Sequence, residues 1–521
     1  MLSVVALTAT LLATQVPSPV AGDVDDDEEV AGVAPPSEIE EIGSATASRP
    51  TKNPTLRTFS QSAFILALQS IYYWRRPSLA GAESGTTWDS WKTKLFSTGE
   101  ITFDQDRYDT NASLHPIMGA IYYQIGRGNG LGVGGSLLTS FVASTTWEYT
   151  SEFIERPSLN DLILTPAVGA VIGEASFRLG RLFAAGRPGP VNCFGAVLFS
   201  PVATLNDTYV CGGGGSGSGS GSAPYDGLGF SRRAWHRIDA GVAIGRSVFD
   251  GAVTYDATRY AIAGAVVTHT RYRRAGHDAS LVGPGQWTTI GGGQAFGNSR
   301  VLAIDFHADA SLVGAYLRRY DDTGGGAREA DGRGLLLGAG TSFDYDLRML
   351  PMGRDRIASW GIAGPKLEWS MRRGRLAVTG ALNAQYAFAI VQSLAYMEAH
   401  AFLPEEFVKS PLRKEGYYYA HGAVSSAVVT LALSRFDLLA AARGGWYWSI
   451  NARDQRQDEI IKDFTLSDTR IQLHGEAAVR MLADSVRFAI AFDDIERTSS
   501  LPGMSIATDE RRAGLEGRFI F

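Results

Sequence analysis

Apolar and polar residues alternate with a period of two along most of the second half of the chain. In Arg300–Leu317, the even positions from 302 to 312 are apolar, whereas the odd positions from 305 to 311 are Asp, His, Asp and Ser. A period of two indicates a β-strand with one apolar and one polar face. The same alternation recurs in Leu335–Met349, Leu376–Ile390, Leu438–Ile450, Thr469–Met481, Ser485–Asp493 and Glu510–Phe521.

These strands predict an outer-membrane β-barrel of about twelve antiparallel strands over residues 223–521, so the fold class is mainly β. A soluble β-sandwich shows the same alternation. The barrel is favoured by long strands and by aromatic residues near strand ends, which suit an interfacial girdle. These aromatic residues are Trp360, Trp369, Tyr417, Tyr418, Tyr419, Trp446 and Trp448.

The spacing between strands also favours a barrel. The connections Arg372–Gly374, Ser434–Arg435 and Leu482–Asp484 are short, whereas Val391–Glu415, Ala452–Ser467 and Ile495–Glu510 are long. Short periplasmic turns and long outer loops would give this alternation. This alternation of loop lengths fails at Arg319–Gly332, where a long connection lies at the end of the barrel that should carry short turns.

The final strand ends on Phe521. A terminal aromatic residue after an alternating strand is typical of a barrel-closing strand that the barrel-insertion machinery recognises. The expected partners are therefore that machinery and outer-membrane lipids. The oligomeric state is left open.

Residues 58–186 carry helical patterns instead. Helices are predicted over Gln61–Trp74, Asn111–Gly126, Gly134–Glu155 and Ser158–Leu182. In the last helix, Ser158 suits an N-cap and Pro166 should produce a kink. The last two helices are weakly hydrophobic, so they can pack in water, lie at a membrane surface or line the inside of a barrel. Spanning helices are the least expected, because no uniformly apolar stretch of about twenty residues is present.

The other segments have no core of their own. Residues 1–22 resemble a secretory signal peptide without a positive n-region, and residues 23–57 form an acidic and Pro-rich stretch that predicts a disordered linker. Residues 187–222 are predicted to be a loop ending in a Gly/Ser linker at Gly212–Ser222. Cys193 and Cys211 predict a loop-closing disulfide in an oxidising compartment, or otherwise two free thiols.

Charge and hydropathy narrow the function classes. A net charge of −6 at pH 7 gives no support for nucleic-acid binding. A mean hydropathy of −0.04 suits a membrane β-barrel better than a helical membrane protein. No cofactor is predicted.

The candidate functional residues all lie in the helical block. Asn111, His115 and Tyr122 fall on one helical face. The other candidate ligand-binding residues are Glu148, Glu152, Asp161 and Glu174. His115 with the carboxylates can bind a divalent metal or form an acid/base pair. Alternatively, these residues cap and cross-link helices, and Gly169 and Gly173 would let another helix approach closely.

The stretch from Phe103 to Arg181 resembles a bacterial envelope family known only as a domain of unknown function, usually found ahead of a barrel. The shared positions are Phe103-Asp104, Asn111, His115-Pro116, Gly119, Tyr122-Tyr123, Arg127, Asn129-Gly130, Trp147-Glu148-Tyr149, Pro157-Ser158, Asp161 and Gly173-Glu174. The Glu…Pro-Ser…Asp…Gly…Gly rhythm is also similar to that of VanZ-like membrane proteins. Neither resemblance implies an established reaction.

Three function hypotheses follow. The first is a non-enzymatic outer-membrane protein that binds or passes a lipid or a small polar ligand, with its helices in the periplasm or plugging the lumen. The second is a lipid- or glycan-modifying enzyme that uses His115, Glu148 and Asp161. The third is a structural envelope scaffold.

Overall fold

The computed structural model describes residues 53–75, 87–96, 103, 106–152, 157–206, 225, 229–231, 234–251, 253–269, 271–297, 300–321, 331–399, 412, 415–450, 465–482 and 485–521. The predicted signal peptide, most of the predicted linker before the helices, and Gly212–Ser222 lie outside the described residues.

The C-terminal part is an antiparallel β-barrel. Its strands are β1 (Trp235–Phe249), β2 (Val253–Val267), β3 (Gly276–Val282), β4 (Trp287–Gly297), β5 (Arg300–Tyr320), β6 (Gly332–Leu350), β7 (Gly353–Arg373), β8 (Leu376–Gln392), β9 (Tyr417–Leu433), β10 (Phe436–Ser449), β11 (Ser467–Met481), β12 (Val486–Leu501) and β13 (Met504–Ile520). Strands β3 and β4 pair with successive stretches of β5, so together they fill one position in the ring. The prediction of about twelve strands is confirmed.

The last strand closes the ring, as the sequence predicts. Strand β13 pairs with β1 from Asp239↔Ile520 to Phe249↔Glu510. One predicted connection is wrong: Ile495–Glu510 is not a long loop but the tight hairpin between β12 and β13, with Leu501 opposite Met504. The polar residues there continue the alternation of both strands.

The barrel has two distinguishable ends. The long-loop end carries the long connections after β8 and β10 together with the tight hairpins after β6 and β12, and the short-loop end carries the tight turns after β7 and β9 together with the longer connection between β5 and β6. At the long-loop end, a short helix α8 (Leu394–Ala399) folds over the mouth, and its Leu394 packs with Phe249 and Leu350.

Strand register separates the outer and inner faces of the wall, because residues directly opposite in neighbouring strands share one face. Ile244, Leu515 and Ile490 are aligned in register, and each is about two-thirds exposed. This apolar parity therefore faces outward. The other parity carries buried charged side chains, such as Arg497 and Glu510, and faces the lumen.

Ion pairs cross the lumen. Arg470 on β11 contacts Asp346 on β6 at 3.1 Å, and Arg348 on β6 contacts Glu510 on β13 at 3.1 Å. Near the long-loop end, Arg497 pairs with Asp355 and Asp468, all three buried. The strands of each cross-lumen pair lie far apart around the ring, so these side chains fill the interior.

The helices that precede the barrel are α1 (Pro54–Trp74), α2 (Trp88–Phe96), α3 (His115–Gly128), α4 (Val133–Thr150), α5 (Leu159–Ala184), α6 (Pro190–Phe199) and α7 (Pro201–Asn206). A π-helical turn, Thr110–Leu114, leads into α3. The predicted loop at 187–222 is wrong where α6 and α7 form, because Pro190 and Pro201 occupy first turns rather than breaking helices. Helix α1 begins at Pro54, within the stretch assigned to the linker.

The helical layer, meaning residues 103–206, packs against the outer face of the barrel wall. Helix α5 contacts β2, β4, β5 and β6. The wall residues in its core are Ile238, Val266, Ile290, Ala308, Phe343, Tyr345, Ala358, Ile390, Tyr417 and Tyr419. By register, all of them have the outward parity. The described helices of this layer therefore lie outside the lumen, which the sequence left as one of two locations, whereas Tyr396 of α8 packs against the lumen-facing Val391 and Tyr418.

Two glycines allow α3 and α5 to cross in backbone contact. A Cβ at Gly169 would lie 2.5 Å from the Gly119 Cα, and a Cβ at Gly119 would lie 2.8 Å from the Thr165 carbonyl carbon. A third glycine, Gly173, lies against the Tyr123 side chain. The predicted close approach at Gly169 and Gly173 is confirmed, and α5 continues through Pro166.

Candidate functional site

A short segment ahead of α3 docks the helical layer on the wall. The Phe103 ring stacks on Tyr419 with centroids 4.7 Å apart. The Arg356 guanidinium lies 4.2 Å from the centre of the buried Tyr108 ring. Asn111 donates from Nδ2 to the hydroxyls of Tyr417 and Tyr419 at 3.1 and 3.0 Å. Polar as well as apolar contacts therefore hold this edge.

The N-terminus of α5 lies beside this segment. Ser158 is its N-cap, and its hydroxyl accepts from the Asp161 amide at 3.3 Å. A carboxylate oxygen of the fully buried Glu148 accepts from the Ser158 amide at 2.9 Å. The Asn160 side chain donates to Asn111 at 3.3 Å. Glu148 and Ser158 thus satisfy backbone amides that a helix start leaves without partners.

His115 and Asp161 form a hydrogen-bonded pair between Nδ1 and Oδ1. The Asp161 side chain is 4% exposed and that of His115 is 18% exposed, so the pair lies at the edge of the buried region. The Thr165 hydroxyl donates to the same Asp161 oxygen at 3.3 Å. Asp106 is near enough to interact electrostatically with both His115 and Asp161. These three side chains comprise two carboxyl groups and one imidazole.

Glu174 belongs to a second cluster. It accepts from Tyr123 Oη at 2.9 Å, from Arg127 Nε at 2.8 Å and from Arg178 Nε at 2.8 Å. Glu174 is thirteen residues beyond Asp161 on α5, or about 20 Å at the rise of an α-helix. It therefore cannot act on one small group together with His115.

Two further predicted residues lie away from both clusters. The Tyr122 hydroxyl donates to Gln69 on α1, and Glu152 accepts from Trp147 Nε1 at 2.8 Å. The structure thus brings together Asn111, His115, Glu148 and Asp161, and it separates Tyr122, Glu152 and Glu174 from them. Cys193 is disulfide-bonded, and its predicted partner Cys211 lies outside the described residues.

The sequence does not identify every residue at the site. It places Tyr417 and Tyr419 in an interfacial girdle, and it gives no signal for Asp106. Both tyrosines lie on the same face of their strand, and buried tyrosine hydroxyls need hydrogen-bond partners. This combination is the sequence signal that points to a covered polar contact. Within the described parts of the chain, no cluster of three or more His, Cys, Asp or Glu side chains suits a metal ion.

The lumen contains two cavities of about 70 and 160 Å³. The larger is lined by charged side chains that include Arg259, His474, Asp493 and Arg512. Both are smaller than the roughly 300–1,000 Å³ of ordinary ligand pockets. The polar cluster at His115 is the candidate site because it brings together Asn111, His115, Glu148 and Asp161, which the sequence predicts.

Comparisons with known proteins give a family match in the helical part of the chain. Residues 100–202 match the family described as Domain of unknown function (DUF3943), which confirms the predicted resemblance. The comparison with curated proteins returns no match.

Among solved structures, the chain is similar to the translocator domain of autotransporter NalP from Neisseria meningitidis, at 12% identity, TM-score 0.20, and coverage of 55% of this chain and 88% of that one. It is also similar to the NanC porin, at 10% identity, TM-score 0.23, and coverage of 53% and 98%. TM-scores this low carry no argument, so the barrel assignment rests on the closed strand pairing. An antiparallel barrel with an apolar outer face and a charged lumen has the architecture of bacterial outer-membrane proteins.

Proposed function

We propose that this protein resides in the bacterial outer membrane, with its helical layer held within the lipid against the barrel wall. The layer covers wall positions that would otherwise face lipid, and the layer and the adjoining helix α1 expose large apolar side chains. These side chains are Phe59, Phe64, Leu68, Ile71, Leu137, Leu138, Phe141, Val142, Phe194 and Val197. Helix α5 is long and apolar enough to cross a membrane, but 61% of its most apolar stretch is buried inside the protein, so the exposed side chains of its neighbours carry the proposal.

Passage through the lumen is the less favoured role. The buried Arg497, Asp355 and Asp468 lie near the long-loop end, and α8 folds over the same mouth. Opening this route requires separating ion pairs that have almost no contact with water, at a cost of several kcal/mol.

The function that the geometry supports best is binding of a lipid with an ammonium headgroup at the cluster of Asp106, His115 and Asp161. The observation that carries this proposal is a polar cluster with excess carboxylate, at the edge of a layer whose surroundings are apolar. Ionisable residues at membrane depth are costly and usually functional. An ammonium group offers the positive charge and N–H donors that two carboxylates and an imidazole would accept.

The test is lipid binding by purified full-length protein in native mass spectrometry. Phosphatidylethanolamine, which has N–H donors, should bind more tightly than phosphatidylcholine, which has none. Asp161→Asn should abolish this preference while the heat-dependent gel shift of a folded barrel persists. Equal binding of both lipids by the unaltered protein would contradict the proposal.

A second candidate is catalysis on a lipid, which one observation favours. Asp161 holds the His115 imidazole through Nδ1, an arrangement that orients the ring for proton transfer through Nε2. Separate His115→Ala and Glu148→Ala variants distinguish the roles. Catalysis predicts that His115→Ala leaves folding intact and stops a change in lipid mass, whereas Glu148→Ala should lower stability because it leaves the Ser158 amide unsatisfied.

A further inference from the structure

Three arginines form an outward-facing group on adjacent strands at the short-loop end of the barrel. Arg319 on β5 lies directly opposite Arg333 on β6, and Arg373 on β7 lies near the end of the next strand. All three are exposed. They continue the outward parity of Leu317 and Met371, which are 47% and 40% exposed.

This arrangement is unfavourable without a counterion. Like charges directly opposite in an antiparallel pair destabilise the pairing. Among the residues that the structure describes, none forms an ion pair with Arg319, Arg333 or Arg373. Two described carboxylates flank the group: Asp321 lies 3.5 Å from His277, and Asp331 accepts from the Gly374 amide at 3.0 Å.

The position matches a membrane boundary. Leu317 and Met371 are each two residues from an arginine, which is about 7 Å along a strand. The guanidinium groups therefore lie where the apolar belt ends and lipid headgroups begin. Guanidinium groups bind phosphate through paired N–H donors, and basic residues at a membrane surface attract anionic lipid.

We propose that Arg319, Arg333 and Arg373 bind the phosphate of an anionic phospholipid in the leaflet at the short-loop end. In outer-membrane barrels the long loops face outward, so this leaflet is the periplasmic one. The site is separate from the cluster at His115, and its variants leave that cluster untouched.

The opposite end supplies a matched control. Arg246 has the outward parity on β1 at the long-loop end and is also exposed, but Asp256 pairs with it at 2.9 Å. Its charge is already compensated, so Arg246→Gln should not change lipid binding.

The experiment titrates full-length protein in uncharged detergent with phosphatidylglycerol, phosphatidylcholine or inorganic phosphate, followed by native mass spectrometry. At about 1 kcal/mol for each arginine, the double variant Arg319→Gln/Arg333→Gln should bind phosphatidylglycerol about 30-fold more weakly. Arg246→Gln should bind it like the unaltered protein.

Two results would overturn the proposal. One is equal phosphatidylglycerol binding by the double variant and the unaltered protein. The other is tight binding of inorganic phosphate, which would identify a free-anion site. If the double variant fails to show the folded barrel's gel shift, Arg319→Lys/Arg333→Lys replaces it. Lysine keeps the charge but loses the paired donors, so Arg319→Lys/Arg333→Lys should bind phosphatidylglycerol more weakly than the unaltered protein and Arg246→Gln do, and undiminished binding would contradict the proposal.

Discussion

The outer wall of the barrel has a covered patch and a bare patch, both built from the same alternating strands. The covered patch includes Tyr345, Tyr417 and Tyr419, which lie under the helical layer and are at most 8% exposed. The bare patch includes Ile244 and Leu515, which are 66% and 67% exposed. Both patches are apolar and both face outward.

The difference lies in hydroxyl groups. The Tyr417 hydroxyl donates to the Asp106 carbonyl at 2.7 Å, and Asn111 donates to both Tyr417 and Tyr419. A lipid tail offers no such partner, so tyrosines whose hydroxyls are buried and hydrogen-bonded mark a wall surface that is covered by protein. The bare patch carries mainly aliphatic and Phe side chains that lipid tails can solvate, and its Tyr386 is 57% exposed.

The largest expected change in stability comes from comparing a substitution on the wall side of the helical layer with one on its far side. Tyr108→Ala removes a fully buried ring from the wall side and should lower the free energy of unfolding of the layer by about 3 kcal/mol. Phe141→Ala, on the far side at 45% exposure, should lower it by less than about 1 kcal/mol. Urea unfolding followed by the helical circular dichroism signal measures both. Equal losses would contradict the assignment of the two faces.

A somewhat smaller effect is expected at the helix crossing. Gly169→Ala places a Cβ against the Gly119 backbone and should destabilise the layer by about 2 kcal/mol. Gly134→Ala, where nothing lies within 4 Å, is the matched control and should be neutral or slightly stabilising. Protease resistance of the helices, with the barrel's gel shift measured in parallel, reports the effect. A protease-resistant Gly169→Ala layer would show that the backbone contact is dispensable.

The smallest expected effect tests whether hydrogen-bonded tyrosine hydroxyls distinguish the covered patch from the bare patch. Tyr419→Phe removes one acceptor from Asn111 and should cost about 1 kcal/mol. Tyr386→Phe, at a bare outward position that is 57% exposed, should change stability by less than about 0.5 kcal/mol. The same urea titration compares them. If both variants lose the same amount of stability, the distinction between covered and bare tyrosines is wrong.

Much of the fold could be predicted from the sequence because local patterns determine it. Strand parity identified the outward face, and the helix predicted at Ser158–Leu182 is α5 at Leu159–Ala184. The location of the helices could not be predicted, because the alternation of apolar and polar residues is the same whether lipid or protein covers the outer face of the wall. The predicted loop at 187–222 is wrong at Pro190–Phe199 and Pro201–Asn206, because a proline suits a first helical turn as well as a loop.

The site was predictable only in part. Asn111, His115, Glu148 and Asp161 meet because two helices cross at Gly119 and Gly169, and helix spacing alone does not fix that crossing. Glu174 shares a helix with Asp161, but the distance along the axis separates them.

The most direct test of the account asks whether the helical layer lies in the lipid. A spin label is attached to Leu138→Cys on α4, with Leu515→Cys on the bare wall and Arg375→Cys in a hairpin turn as references, in full-length protein reconstituted into bilayers. We predict that the label at 138 is accessible to oxygen and shielded from a water-soluble relaxation agent, as the label at 515 is. If the label at 138 is instead as accessible to the water-soluble agent as the label at 375, the layer lies in water and its location in the lipid is contradicted.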